Sequence, residues 1–154
     1  MNAAPIFDLQ QAHRHFSAEC FNRAWGYIDK SARTAEEERA MLLLALASLW
    51  HWSQREDAKP ENLSVGYWQA ARVFALLGQT GNARQYGQLS LEQAQSPGVG
   101  PFYLGYAYEA LARAEALAGK RTQAEEHLSL ARLAAEKVAE ADDRKALLAD
   151  LDTI

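Results

Sequence analysis

Residues 63–95 read LSVGYWQAARVFALLGQTGNARQYGQLSLEQAQ, and residues 104–136 read LGYAYEALARAEALAGKRTQAEEHLSLARLAAE. Laid over one another they agree at a single offset of 41: Tyr67 with Tyr108, Ala71 with Ala112, Arg72 with Arg113, Ala75 with Ala116, Leu76 with Leu117, Gly78 with Gly119 and Ala83 with Ala124. A period of a few tens of residues marks a stacked helical repeat, because one helix pair cannot bury its apolar face without a neighbour. Each copy reads as helix, glycine turn, helix. The fold predicted from this duplication is all-α, about three helix pairs (near 6–55, 62–96 and 101–140) with a capping helix at about 142–152, in one domain of 154 residues.

Working outward, Leu9, Ala12, Phe16, Cys20, Ala24 and Tyr27 fall three or four apart and predict a first helix starting between Pro5 and Asp8, with that apolar stripe turned inward. Cys20 reads as a small buried hydrophobe on the stripe. Thr34 with Glu37 is a capping box opening a second helix, and Met41 to Ala47 is apolar on every side, which predicts a helix enclosed by neighbours. Gly78 and Gly81 close the third helix and open the fourth, whose inner face is Ala83, Tyr86, Ser90 and Ala94. Ser96 to Pro101 is a loop, with Pro101 suited to the first turn of a fifth helix. Thr122 with Glu125 predicts a second capping box, followed by a stripe of Ala124, Leu128, Ala131, Ala135 and Val138. Asp142 and Asp143 restart the chain as a short helix whose Ala146, Leu147 and Leu151 cover the open end of the stack.

Tyr67, Ala70, Ala71, Phe74, Gly78 and Ala83 resemble the tetratricopeptide pattern of an aromatic, a small pair, an aromatic, a turn glycine and a later alanine, and Tyr108, Leu111, Ala112, Gly119 and Ala124 repeat it. Glu115 stands where Phe74 stood, Gly87 takes the usual second-helix aromatic position, and the period exceeds the usual ~34 residues by about two helical turns. The likeness is to a variant of that repeat. Ala47 to Trp52, Tyr67 to Gly78 and Ala107 to Arg113 are also similar to a group of bacterial tetratricopeptide-like proteins, which implies a short right-handed α-α superhelix and no particular reaction.

In such arrays the first helix of each pair lines a concave groove, so the resemblance places Trp68 and Arg72 of one copy and Glu109 and Arg113 of the other on one surface. Two guanidinium groups there would suit a carboxylate or phosphate. Trp68, Trp52, Tyr103 and Tyr106 would add flat apolar area that anchors a peptide. The plain alternative is that Glu109 and Arg113, four apart on one helix, pair with each other at the surface for about 0.3–0.5 kcal/mol. His51, between Trp50 and Trp52 in the last turn of the second helix, either caps that helix or carries a proton.

The net charge of −4 and the lack of a Lys/Arg cluster argue against nucleic acid. A single cysteine and no apolar leader segment point to the cytoplasm, and Ala40 to Leu49 is too short to cross a bilayer. His13 and His15 point to different faces of one helix, so no metal is expected. No phosphate loop, His-Glu-x-x-His run, Gly-x-Ser-x-Gly elbow or Cys-x-x-Cys pair occurs, so neither a catalytic residue nor a cofactor is assigned. The function expected is a protein-interaction module that takes a peptide or partner segment, preferably an acidic one. The alternatives are a homodimeric structural protein, or a sensor or enzyme with a pocket around His51 and Arg72.

Overall fold

The structure, a computed structural model, describes residues 6–154. Pro5, where the first helix was expected to start at the earliest, lies outside them. The described chain is all-α: α1 (Leu9–Ile28), α2 (Ala35–Ser53), α3 (Pro60–Leu76), α4 (Thr80–Ala94), α5 (Pro101–Leu117), α6 (Arg121–Glu136) and α7 (Ala141–Leu151). The helices fall into two compact units, one ending at Lys59 and one running from Pro60 to Ile154.

In the first unit α1 packs on α2. Asp8 caps α1 by accepting from the Gln11 amide, and the Thr34–Glu37 capping box opens α2 as expected. The face α1 turns inward is His13, Ser17, Ala24 and Ile28, while Leu9 and Phe16 of the expected stripe are exposed and Cys20 is only half-buried. The register of the stripe is therefore corrected. Polar residues take the inner positions because each finds a partner: Ser48 donates to the Ser17 carbonyl at 2.7 Å, and His13 meets His51. Nor is α2 enclosed. Met41, Ala45, Ser48 and Leu49 are buried, but Leu43 is 68% exposed and Trp50 55%. The run of leucines has no period, so sequence alone could not show which of them face α1.

In the second unit α3 and α5 keep the duplication to the residue. α3 and α5 each begin on a proline at their first turn and end 41 positions apart, at Leu76 and Leu117. Each then closes identically: Gly78 N–H bonds the Ala75 carbonyl and Gln79 N–H the Phe74 carbonyl, while Gly119 bonds Ala116 and Lys120 bonds Glu115. This is a Schellman turn, which requires a left-handed residue, and Gly78 and Gly119 sit at φ 71° and 73°. α4 packs on α3 and α5, α5 on α3 and α6, and α7 on α5 and α6. Two core clusters result. Leu91, Ala94, Ala107 and Leu111 pack with Tyr103, Leu104 and Tyr108, and Ala131, Ala135, Leu147 and Leu151 pack with Tyr106, Tyr108 and Leu128.

Close approach explains the small residues. Ser64 and Ser90 each donate to the other's carbonyl, at 3.1 and 2.9 Å, which draws α3 onto α4. A Cβ on Gly87, the position an aromatic usually holds, would sit 3.1 Å from Leu111 Cδ2. The second capping box does not form. α6 starts two residues earlier, at Arg121, with Lys120 rather than Thr122 as N-cap, and Glu125 instead accepts from Arg121 Nε at 2.8 Å. The closing helix is present with Leu147 and Leu151 buried, but Ala146 faces solvent.

Candidate functional site: a buried carboxylate beneath two arginines

Glu109 sits on α5 with no solvent exposure, and three donors converge on it. Trp68 Nε1 donates to Oε2 at 2.7 Å, Arg72 Nη1 to Oε1 at 3.1 Å and Arg113 Nε to Oε1 at 2.8 Å, with Arg113 Nη2 also 2.7 Å from that oxygen. The Glu109–Arg113 pair read from the sequence as a surface contact is thus a buried one, drawn into a larger network with Arg72.

Both arginines remain partly accessible, at 18% and 15% of their side-chain area. Because Arg72 Nη1 and Arg113 Nη2 reach the same oxygen from 3.1 and 2.7 Å, they cannot be more than 5.8 Å apart. Two guanidinium groups face the Glu109 carboxylate, and a second carboxylate, that of Asp150, stands at the same floor.

Arg113 is further fixed from α7 and the residues just after it: its Nη2 donates to the Asp150 carbonyl at 3.3 Å and to Thr153 Oγ1 at 2.7 Å. Tyr106 supports the floor, its ring edge-on to Trp68 at 4.9 Å and its hydroxyl donating to Asp150 Oδ2 at 2.8 Å. Burial, and then the Asp150 carboxylate, push the Tyr106 phenol well above its ordinary range, so it stays protonated.

Above the network lies a cleft of about 480 Å³ lined by Arg72, Ala75 and Leu76 from α3, by Arg113, Ala116 and Leu117 from α5, and by Thr153 and Ile154. The first two sets are the same Arg-x-x-Ala-Leu group at the repeat offset. Of the residues singled out from sequence, Trp68, Arg72, Tyr106, Glu109 and Arg113 come together here. His51 and Trp52 belong to the other unit, where Trp52 lies under the Arg55 guanidinium at 3.8 Å and His51 bonds His13. Tyr103 packs in the Leu91–Leu111 cluster.

Sequence reasoning missed Asp150, Thr153 and Ile154, which lie outside the repeat and carry no periodic signal. Leu76 and Leu117 were legible as a repeated pair but not as cleft walls. A second cross-helix pair was also missed: Glu115, 5% exposed, is held by Arg84 through two bonds, one of them 2.9 Å, and this hydrogen bonding lowers the Glu115 carboxyl.

Among the described residues no group of three or more His, Cys, Asp or Glu side chains could hold a metal ion, and no helix is long and apolar enough to cross a membrane. The class that fold and site define is an all-α chain of helical hairpins, of which α3–α4 and α5–α6 pack on one another. Comparison with protein-family models, with curated proteins and with solved structures gives no match.

Proposed function

We propose that residues 60–154 form a tetratricopeptide-like docking module that takes an acidic segment of a protein partner in the Arg72–Arg113 cleft. The observation that carries this reading is the convergence of two guanidinium groups, from equivalent repeat positions, over one fully buried carboxylate. Glu109 aligns both forks. Arginine edges held this way are preorganised for an incoming carboxylate, and preorganisation lowers the ordering cost of binding.

The cleft also selects what surrounds that carboxylate. Leu76 and Leu117 are 38% and 54% exposed, beside Ala116 and Ile154, so apolar side chains next to the acid would find cover. Arginines less than 6 Å apart suit one bridging carboxylate rather than two separate ones. A Glu or Asp flanked by aliphatic residues has the matching chemistry.

The test is an NMR titration with a blocked Ala-Leu-Glu-Leu-Ala peptide and its Gln analogue. The Glu peptide is expected to shift the Arg72 and Arg113 Nε resonances, more weakly as salt rises, and the Gln peptide to leave them in place. Leu117→Glu should abolish the shifts while the melting temperature holds, because Leu117 is exposed. Equal responses to the two peptides, or none at millimolar concentration, would overturn the reading.

A further inference from the structure

His13 of α1 and His51 of α2 meet Nδ1 to Nδ1 at 2.9 Å, with His13 only 6% exposed. Aromatic rings close around them. Trp50 lies edge-on to both, 5.5 Å from His13 and 4.9 Å from His51, and Phe16 is 5.4 Å from His51. A contact between two ring nitrogens at this distance is a hydrogen bond only if one carries the proton and the other offers its lone pair.

Counting protons shows what the pair can tolerate. With both rings neutral, one Nδ1–H donates and the other Nδ1 accepts. One added proton can go to an Nε2 and leave the shared bond intact, now charge-assisted. A second added proton puts hydrogen on both Nδ1 atoms, and the contact turns from attraction to a clash of two cations.

We propose that His13 and His51 form a proton-operated latch between α1 and α2, closed while the pair holds no more than one extra proton and released by the second.

The surroundings favour release over accommodation. On α1 the titratable neighbours are Arg14, turned toward Asp57 at 3.7 Å, and His15, whose ring packs on Phe16 at 5.0 Å. On α2, Ala45 to Ser53 carries no ionisable side chain except His51. In the segment that follows, Arg55 donates to Ser17 Oγ at 3.1 Å, four residues beyond His13, and pairs with Asp57. None of the bonds formed by that carboxylate reaches either imidazole.

Burial first, and the charge of His13 second, lower the His51 pKa from its ordinary 6.5. A histidine depressed in the folded state favours its neutral form there. Its contribution is present above pH ~6.5 and is lost as pH falls from there through the folded value.

The experiment is ¹⁵N imidazole NMR of the whole chain from pH 8 to 4, with amide exchange followed in parallel. The pair should titrate in two steps at least one unit apart, and amides of α1 and α2 should lose at least tenfold more protection between pH 7 and 5 than those of α3 to α6. His51→Asn, which keeps a hydrogen-bonding side chain and cannot titrate, should remove that extra loss. Two independent titrations at one common midpoint, measured on the unaltered protein, would overturn the proposal, as would an undiminished loss of protection in His51→Asn.

Discussion

Trp68 donates its indole N–H to Glu109 at 2.7 Å although the two residues hold the same place in successive repeats, 41 positions apart. An indole is a donor only and a carboxylate an acceptor only, so divergence at one repeat position made two complementary partners. Conserved positions then joined them, since Arg72 and Arg113 bond the same carboxylate. The network couples α3 to α5 across the repeat boundary, and this sets the expected result of removing its centre. Glu109→Gln leaves two largely buried guanidinium groups without a counter-charge and should cost about 3–5 kcal/mol. Trp68→Phe loses one charge-assisted bond and should cost about 1.5–3 kcal/mol. Native-state hydrogen exchange in α3 and α5 measures both, and a smaller loss for the Gln variant than for the Phe variant would contradict the ranking.

The two arginines are equivalent in sequence but not in anchorage. Among the described residues Arg72 has Glu109 as its one ionic partner, whereas Arg113 also bonds the Asp150 carbonyl and Thr153. Arg113→Gln should therefore destabilise more than Arg72→Gln, by about 1 kcal/mol, and should raise amide exchange at the end of α7. Unchanged α7 exchange in Arg113→Gln would detach that helix from the network.

At the turns the repeats should behave alike. Gly78 and Gly119 sit at positive φ with open space where a Cβ would point, so only backbone strain opposes alanine. Each substitution should cost about 1–2 kcal/mol, and the two costs should agree within ~0.5 kcal/mol when measured by denaturant unfolding. Unequal costs would mean the two turns are not energetically equivalent.

Period and turn glycines made α3 to α6 legible in the sequence, because each is a local signal with one structural solution. Lateral packing was not legible in the same way. His13 and Ser17 lie on the inner face of α1 only because Ser48 and His51 come opposite them, a fact about a pair of helices that neither sequence carries. Glu115 looks like a lapse from the repeat until Arg84 is seen across the helix interface. The cleft was half visible: the duplicated arginines showed in the alignment, while Thr153 and Ile154 reach it from beyond the last repeat.

The seating of α7 depends on a missing side chain. A Cβ at Gly105 would fall 2.4 Å from Leu147 Cδ2, and Leu147 has no solvent-exposed area into which to retreat. Gly105→Ala should therefore cost about 1–3 kcal/mol by displacing α7. Asp150 and Thr153 would move with it, loosening Tyr106 and Arg113 at the cleft. Adding Leu147→Ala should recover part of the loss in a thermal melt, because it clears the clash while opening a cavity of its own. Strictly additive losses in the double variant would show that the two residues do not compete for space.

Asp57 provides a pH test confined to the first unit. Hydrogen bonds from Arg55, at 2.9 and 2.8 Å, lower its carboxyl from 3.8 to about 2. A carboxylate depressed in the folded state stabilises above its unfolded value, and the contribution disappears as pH falls from about 4 toward 2. The side chain is open to solvent, so the effect is read from titration rather than from stability. ¹³C-carboxyl NMR should place the Asp57 midpoint near 2, and Arg55→Gln should return it most of the way to 3.8. Arg14, 3.7 Å away, is too distant to hold it down alone, so a midpoint left near 2 in Arg55→Gln would show that Arg55 is not the cause.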